Sequence, residues 1–151
     1  MPDVFISYSN QDEKLAQFVY RHLTSESLSV FLASVSLKPG DHWPSEIMNN
    51  LRFSPWVILL ASRAACRSPF VQQELGGARY GNKKIIPIVW DMSPSKLPGW
   101  AREYQALDLA GATIESLSKT ISSIAKNIKA DKGNGLLLVG CILLGLLLFK
   151  K

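Results

Sequence analysis

Six consecutive apolar residues, Trp56-Val57-Ile58-Leu59-Leu60-Ala61, constrain the fold more than any other stretch of this chain. A short run without polar alternation suits a strand buried on both faces, and such strands belong to parallel sheets covered by helices front and back. The residues that follow agree. Ser68 is a helix-capping residue type, and Pro69 suits a first helical turn, where a missing N–H costs nothing. Phe70 and Glu74 then stand one turn apart on the same helical face. Open α/β sheets bind ligands beyond the carboxyl ends of their strands. The spacing therefore predicts that both residues face that crevice, Phe70 as an aromatic platform for a ring and Glu74 as a carboxylate beside a ribose.

The rest of the pattern repeats this alternation. Val4-Phe5-Ile6-Ser7-Tyr8 reads as a first strand, followed by an Asn10 cap with Glu13 three residues on. Leu15, Phe18, Val19 and Leu23 make the apolar stripe of a first helix, and Ser29 to Leu32 a short second strand. A loop over 33–43 carries the turn Lys38-Pro39-Gly40-Asp41, and Pro44 opens a helix with Ile47 and Leu51 inward. Gly76 and Gly77 inside the Glu74 helix either weaken it or permit close packing. Lys84 to Trp90 is a fourth strand in which Pro87 predicts a bulge or an early end to pairing. Tyr104 to Leu109 is a last strand, and Ile114, Leu117, Ile121, Ile124 and Ile128 mark a final amphipathic helix. Strands alternating with helices predict an α/β fold, a parallel sheet with helices on both faces.

Charge divides the chain. Of the net charge of +5, six lysines against Glu115 and Asp131 place +4 in residues 113–151. The remainder is nearly neutral, and no basic stripe with interleaved aromatics points to nucleic acid. The end of the chain, Gly135 to Phe149, is uncharged and has no polar face, unlike the core helix of a small domain or an interfacial helix. Its span of about 22 Å falls short of the ~30 Å hydrocarbon core, a deficit that snorkelling of Lys132, Lys150 and Lys151 can cover. The expected organisation is a domain over 1–129, a linker over 130–134 and a single transmembrane helix over 135–149 contacting the lipid bilayer. Lys119, Lys126, Lys129 and Lys132 before the span put the domain on the cytoplasmic side, and the N-terminus lacks a signal-peptide pattern. Its glycines, at 135, 140 and 145, do not line up as a GxxxG seam.

Five segments in this order resemble a Toll/interleukin-1 receptor (TIR) domain of the bacterial type. They are Val4 to Ser9 with Asp12, Leu37 to Asp41 with Trp43, Val57 to Leu60, Ser68 to Glu74, and Ile85 to Ile88. The resemblance implies a flavodoxin-like fold with five parallel strands. It also implies cleavage of NAD⁺ between nicotinamide and ribose, with Glu74 as the catalytic carboxylate and Phe70 where relatives often have Trp. NAD⁺ is then substrate, and no cofactor or metal is needed. Ser9 and Asn10, at the end of the first strand, become candidates for hydrogen bonds to phosphate or ribose. The 33–43 loop corresponds to the family's BB loop, which packs against a neighbouring subunit, so Trp43, Lys38 and Asp41 are candidates there and self-association through TIR–TIR contacts is expected. Relatives commonly carry acidic residues after the second strand, where this chain has Ala33, Ser34 and Ser36.

The resemblance leads to a membrane-anchored NAD⁺-consuming enzyme of bacterial antiphage immunity that acts on oligomerisation. Two other functions compete with it: a non-catalytic TIR–TIR scaffold at the membrane, and an effector whose clustered anchors disrupt the bilayer. His22 and His42 stand alone, without a His or Cys at ligand spacing, so no metal site is expected. Neither a nucleophile elbow nor a phosphate-binding glycine loop is present.

Overall fold

The computed structural model describes residues 1–34, 44–78 and 81–134. Five strands, β1 (Val4–Tyr8), β2 (Val30–Ser34), β3 (Trp56–Leu60), β4 (Lys84–Val89) and β5 (Leu107–Asp108), form one parallel sheet in the order β2-β1-β3-β4-β5. That order is the flavodoxin-like one, with its reversal between β1 and β3. The helices are α1 (Glu13–Ser25), α2 (Ser45–Phe53), the short α3 (Arg63–Cys66), α4 (69–78) and α5 (Ile114–Asn134).

All residues of β1 and β3 are buried, and their alternation supplies two cores. Val4, Ile6, Ile58 and Leu60 pack with Ala16, Val19 and Leu23 of α1 and with Ile121, Ile124 and Ile128 of α5. Phe5, Val57 and Leu59 enter the opposite layer with Leu51 of α2 and with Phe70, Val71 and Leu75 of α4. The expected two-sided strand is β3.

Several local expectations are corrected. Asn10 does not cap α1; Asn10–Asp12 is a 3-10 turn, Ser9 stands at its start, and no side-chain capping bond forms there. Short α3, which carries too few apolar residues to show a period, starts where the Ser62 hydroxyl accepts from the Ala65 N–H at 3.1 Å. Pro87 causes no bulge and pairs in register with Leu59. The Ile88 carbonyl accepts from the Ala61 N–H at 2.8 Å on the β3 side, so Pro87 turns its missing donor toward β5, where pairing begins only at Ile88. The last strand is only Leu107–Asp108, because Ala101–Glu103 forms a 3-10 turn first. Gly76 permits close packing: a Cβ there would meet the Trp100 indole at 3.3 Å.

Residues 130–134 are no linker but the last turn of α5, which ends over the amino ends of three strands. The Asp131 carboxylate pairs with Lys84 of β4 and accepts from the Trp56 indole N–H at 2.9 Å, while Lys84 lies 5.0 Å from the centre of the Trp56 ring. Lys132 pairs with Asp3 at 2.9 Å, and Lys129 with Glu26 at 2.8 Å. Lys38, Asp41 and Trp43, and the apolar run 135–149, lie outside the described residues. Among the described residues no helix is long and apolar enough to cross a membrane.

Two stability outcomes follow. Asp131→Ala strips both Trp56 and a half-buried Lys84 of their partner and should cost about 1–3 kcal/mol in urea unfolding; a loss below ~0.5 kcal/mol would mean solvent screens the cluster. Phe70→Ala should cost about 3–5 kcal/mol, as for a core aromatic; a stable Phe70→Ala protein would place the ring outside the core.

Candidate functional site

The carboxyl ends of β1, β3 and β4 converge on a network of short polar side chains. The Ser9 carbonyl accepts from the Asp12 N–H at 2.7 Å, closing the turn into α1, and the Ser9 side chain is buried. Asn10 is exposed, and its side-chain oxygen accepts from the Ser34 hydroxyl at the end of β2. The Asp12 carboxylate accepts from the Ser62 hydroxyl, and the Asp91 carboxylate accepts from the Arg63 N–H at 3.2 and 3.3 Å. Burial pushes Asp12 above the usual aspartate range; the Ser62 bond opposes this and the Asp91 charge adds to it. Burial, with a smaller push from Asp91, raises the Cys66 thiol to about 11, so it stays protonated near neutrality. Ser9 and Asn10 thus sit where the sequence places them, inside loops already tied to one another.

Glu74 lies elsewhere. Helix α4 leaves the carboxyl edge of the sheet and runs back antiparallel to the strands, with Val71–Leu75 wound as a π-helix before the α-helical Gly76–Ala78. Single π turns recur at functional sites. Glu74 lies in the second turn of α4. It lines a cleft of about 240 Å³ between α2 and α4, walled by Met48, Leu51, Arg52, Gly77, Ala78, Gly81 and Lys83. At Gly77 an added Cβ would meet nothing within 4 Å, so this glycine belongs to the open wall while Gly76 packs against Trp100.

The Phe70 ring is fully buried and takes no part in that cleft. The predicted aromatic platform is therefore corrected to a core side chain. Helical spacing gives two residues one face but not one depth, and here the inner residue meets Phe5 and Val57 while the outer one reaches solvent. Among the described residues Glu74 has no hydrogen-bond or ion-pair partner. A half-exposed carboxylate against apolar Met48 and Leu51 suits the stabilisation of transient positive charge.

Two charged residues of this cleft escape sequence reasoning. Arg52, at the end of α2, and Lys83, just before β4, carry no motif; only the packing of α2 beside α4 brings them to Glu74. The Lys83 ammonium donates to the carbonyls of Arg52 and Ser54, each at 2.8 Å, and burial lowers its pKa. Among the described residues no group of three or more His, Cys, Asp or Glu could hold a metal ion.

The titration of Asp12 carries a pH dependence. A carboxyl whose folded pKa is raised contributes stability below the ordinary aspartate range and loses it as pH rises through the raised value. Asp12→Asn keeps an acceptor for Ser62 and should raise the melting temperature at pH 7, with the gain shrinking as pH falls through the raised value and gone below about 3.8. A lower melting temperature for the variant at pH 7 would show that the charged bond to Ser62 outweighs burial.

A family model described as the TIR domain matches residues 4–121. The chain is 32% identical over 97 residues, 63% of its length, to "Probable 2' cyclic ADP-D-ribose synthase BdTIR" of Brachypodium distachyon, and spans 43% of that relative. Among solved structures, the TIR domain of the Toll-related receptor TRR-2 from Hydra magnipapillata superposes with a TM-score of 0.63 at 18% identity, over 85% of this chain and 99% of that one. The RPS4 and RRS1 TIR domain heterodimer gives a TM-score of 0.64 at 8% identity, over 84% of this chain and 95% of that one. With the model match covering most of the chain and the sheet in the same fold, this protein belongs to the TIR domain family.

Proposed function

We propose that this chain cleaves NAD⁺ at the bond between nicotinamide and ribose, with Glu74 as the essential carboxylate. The observation that carries this reading is Glu74, without a partner among the described residues, on a π-helical turn that lines the open cleft between α2 and α4. The similarity to a relative named for making a cyclic ADP-ribose supports the same chemistry.

Nicotinamide leaves as a neutral molecule from a cationic ring, so the departure needs little acid assistance. What needs support is the positive charge that develops on the ribose, and a carboxylate held in a partly apolar cleft supplies it electrostatically. Attack by water gives ADP-ribose, and attack by a nucleophile within the same product closes a ring. Ser9 and Asn10 are proposed to touch phosphate or ribose from the carboxyl edge, and Lys38, Asp41 and Trp43 to complete the site from the BB loop against a neighbouring subunit.

The run 135–149 is proposed to anchor the domain at the cytoplasmic face of a membrane. Confinement to a surface raises effective concentration and favours TIR–TIR assembly. The setting that fits this combination is antiphage defence in a bacterium, with NAD⁺ depletion or an ADP-ribose-derived signal as output.

Full-length protein in liposomes should release nicotinamide from NAD⁺, and Glu74→Gln should lower turnover by at least about 100-fold with assembly intact. Chromatography resolving nicotinamide from linear and cyclic ADP-ribose gives both rate and product. No turnover from crowded, demonstrably oligomeric protein would sink the enzymatic reading and leave the scaffold.

A further inference from the structure

We propose that the pole of the domain where the strands begin is a lipid-facing surface, seated on the anionic headgroups of the bilayer that 135–149 enters. The carboxyl edge of the sheet, with Ser9 and Asn10, then faces away from the membrane and stays open to a soluble dinucleotide. This inference rests on the anchor reading of 135–149 and adds to it the domain's orientation and the residues that touch lipid.

Reach is the first argument. Helix α5 ends over the strand starts, held there by Asp131 with Lys84 and Trp56 and by Lys132 with Asp3. From Asp131 to Gly135, where the apolar run begins, the chain covers about 6 Å at helical rise and at most about 14 Å at full extension. The headgroup layer outside the hydrocarbon is itself roughly 5–7 Å deep. A span that starts at Gly135 therefore brings this pole in or against the headgroups, with little room for a gap.

Charge is the second argument. Beside the strand starts, Asp3, Glu26 and Asp131 are each held in an ion pair, with Lys132, Lys129 and Lys84. Arg52 and Lys83 add positive charge beyond those pairs. Arg52 is exposed, and among the described residues its guanidinium has no partner. The Lys83 ammonium donates to the carbonyls of Arg52 and Ser54, which leaves its charge uncompensated by a carboxylate. Cations within a Debye length of about 8 Å are drawn to an anionic lipid surface.

The third argument is apolar. Phe53, next to Arg52 at the end of α2, is 52% exposed, and Met1, just before β1, is 93% exposed. The other large exposed hydrophobic among the described residues, Ile114, starts α5 at the opposite pole. A bare ring beside an unpaired guanidinium suits the boundary of a bilayer, with the ring toward the acyl chains and the cation among the phosphates. What selects lipid over a soluble partner is the chain itself, which delivers this pole to the bilayer.

The test uses the full-length chain with Cys66→Ser and Cys141→Ser, spin-labelled at Ser29→Cys, before β2, or at Arg63→Cys, just past β3. These exposed positions are separated by at least one strand length, about 17 Å. Vesicles of phosphatidylcholine with about 30% phosphatidylserine carry a nickel-chelating headgroup lipid, and flotation confirms that the protein is bound. Nickel should speed relaxation of the label at position 29 and not of that at position 63. Omitting phosphatidylserine, or adding salt, should reduce the effect. Arg52→Glu should lower the docked-to-free ratio at least about fivefold, the worth of one cation at an anionic surface. Phe53→Ser should lower it with and without phosphatidylserine. Floating protein whose label at position 63 relaxes as much as that at 29 overturns the proposal and keeps the anchor, and so does an effect at 29 indifferent to phosphatidylserine and to Arg52→Glu. Protein that fails to float removes the anchor and this orientation together. None of these readouts involves NAD⁺, so the catalytic reading stands or falls separately.

Discussion

The structure depends on β3 being buried on both faces. Its five residues hand Val57 and Leu59 to one core and Trp56, Ile58 and Leu60 to the other. A strand so placed can exist only inside a sheet covered twice, which obliges the chain to supply α1 and α5 on one side and α2 and α4 on the other. The position of Glu74 follows from that obligation. Helix α4 has to pack Val71 and Leu75 onto the sheet, and the carboxylate is carried into the seam beside α2 as a result.

Much of this was legible in the sequence because it rests on period. The strand runs at Val4 to Tyr8 and Trp56 to Leu60, and the isoleucine stripe of α5, announce themselves by spacing alone. Depth is less legible than face. Phe70 and Glu74 share a helical side, yet one is sealed among Phe5 and Val57 and the other opens to a cleft. Nor does spacing record which side of a strand is paired, so Pro87 looked disruptive although its lost donor falls where β5 has not begun. Arg52 and Lys83 are 31 residues apart, and only tertiary packing makes them neighbours.

The two polar regions differ in how their groups are satisfied. At the carboxyl edge, Asp12 with Ser62, Asn10 with Ser34 and Asp91 with the Arg63 backbone bind the loops to one another. Such a network holds loops in place and leaves fewer free groups for a ligand. In the α2–α4 cleft, Glu74 and the Arg52 guanidinium have no partner among the described residues. Unsatisfied charge facing a concavity is the arrangement a small charged molecule completes.

The lock between α5 and the sheet also sets a direction for the whole molecule. Asp131 and Lys132 tie the last turn of α5 to Lys84, Trp56 and Asp3, where the strands begin. A force applied to the chain at that turn would therefore be borne by the sheet itself rather than taken up in a slack connector. The last turn of α5 and the sheet would move as one body. The loops at the far pole, around Asn10, Ser34 and Ser62, would keep a fixed orientation to that turn, since their own hydrogen bonds hold them to the strand ends.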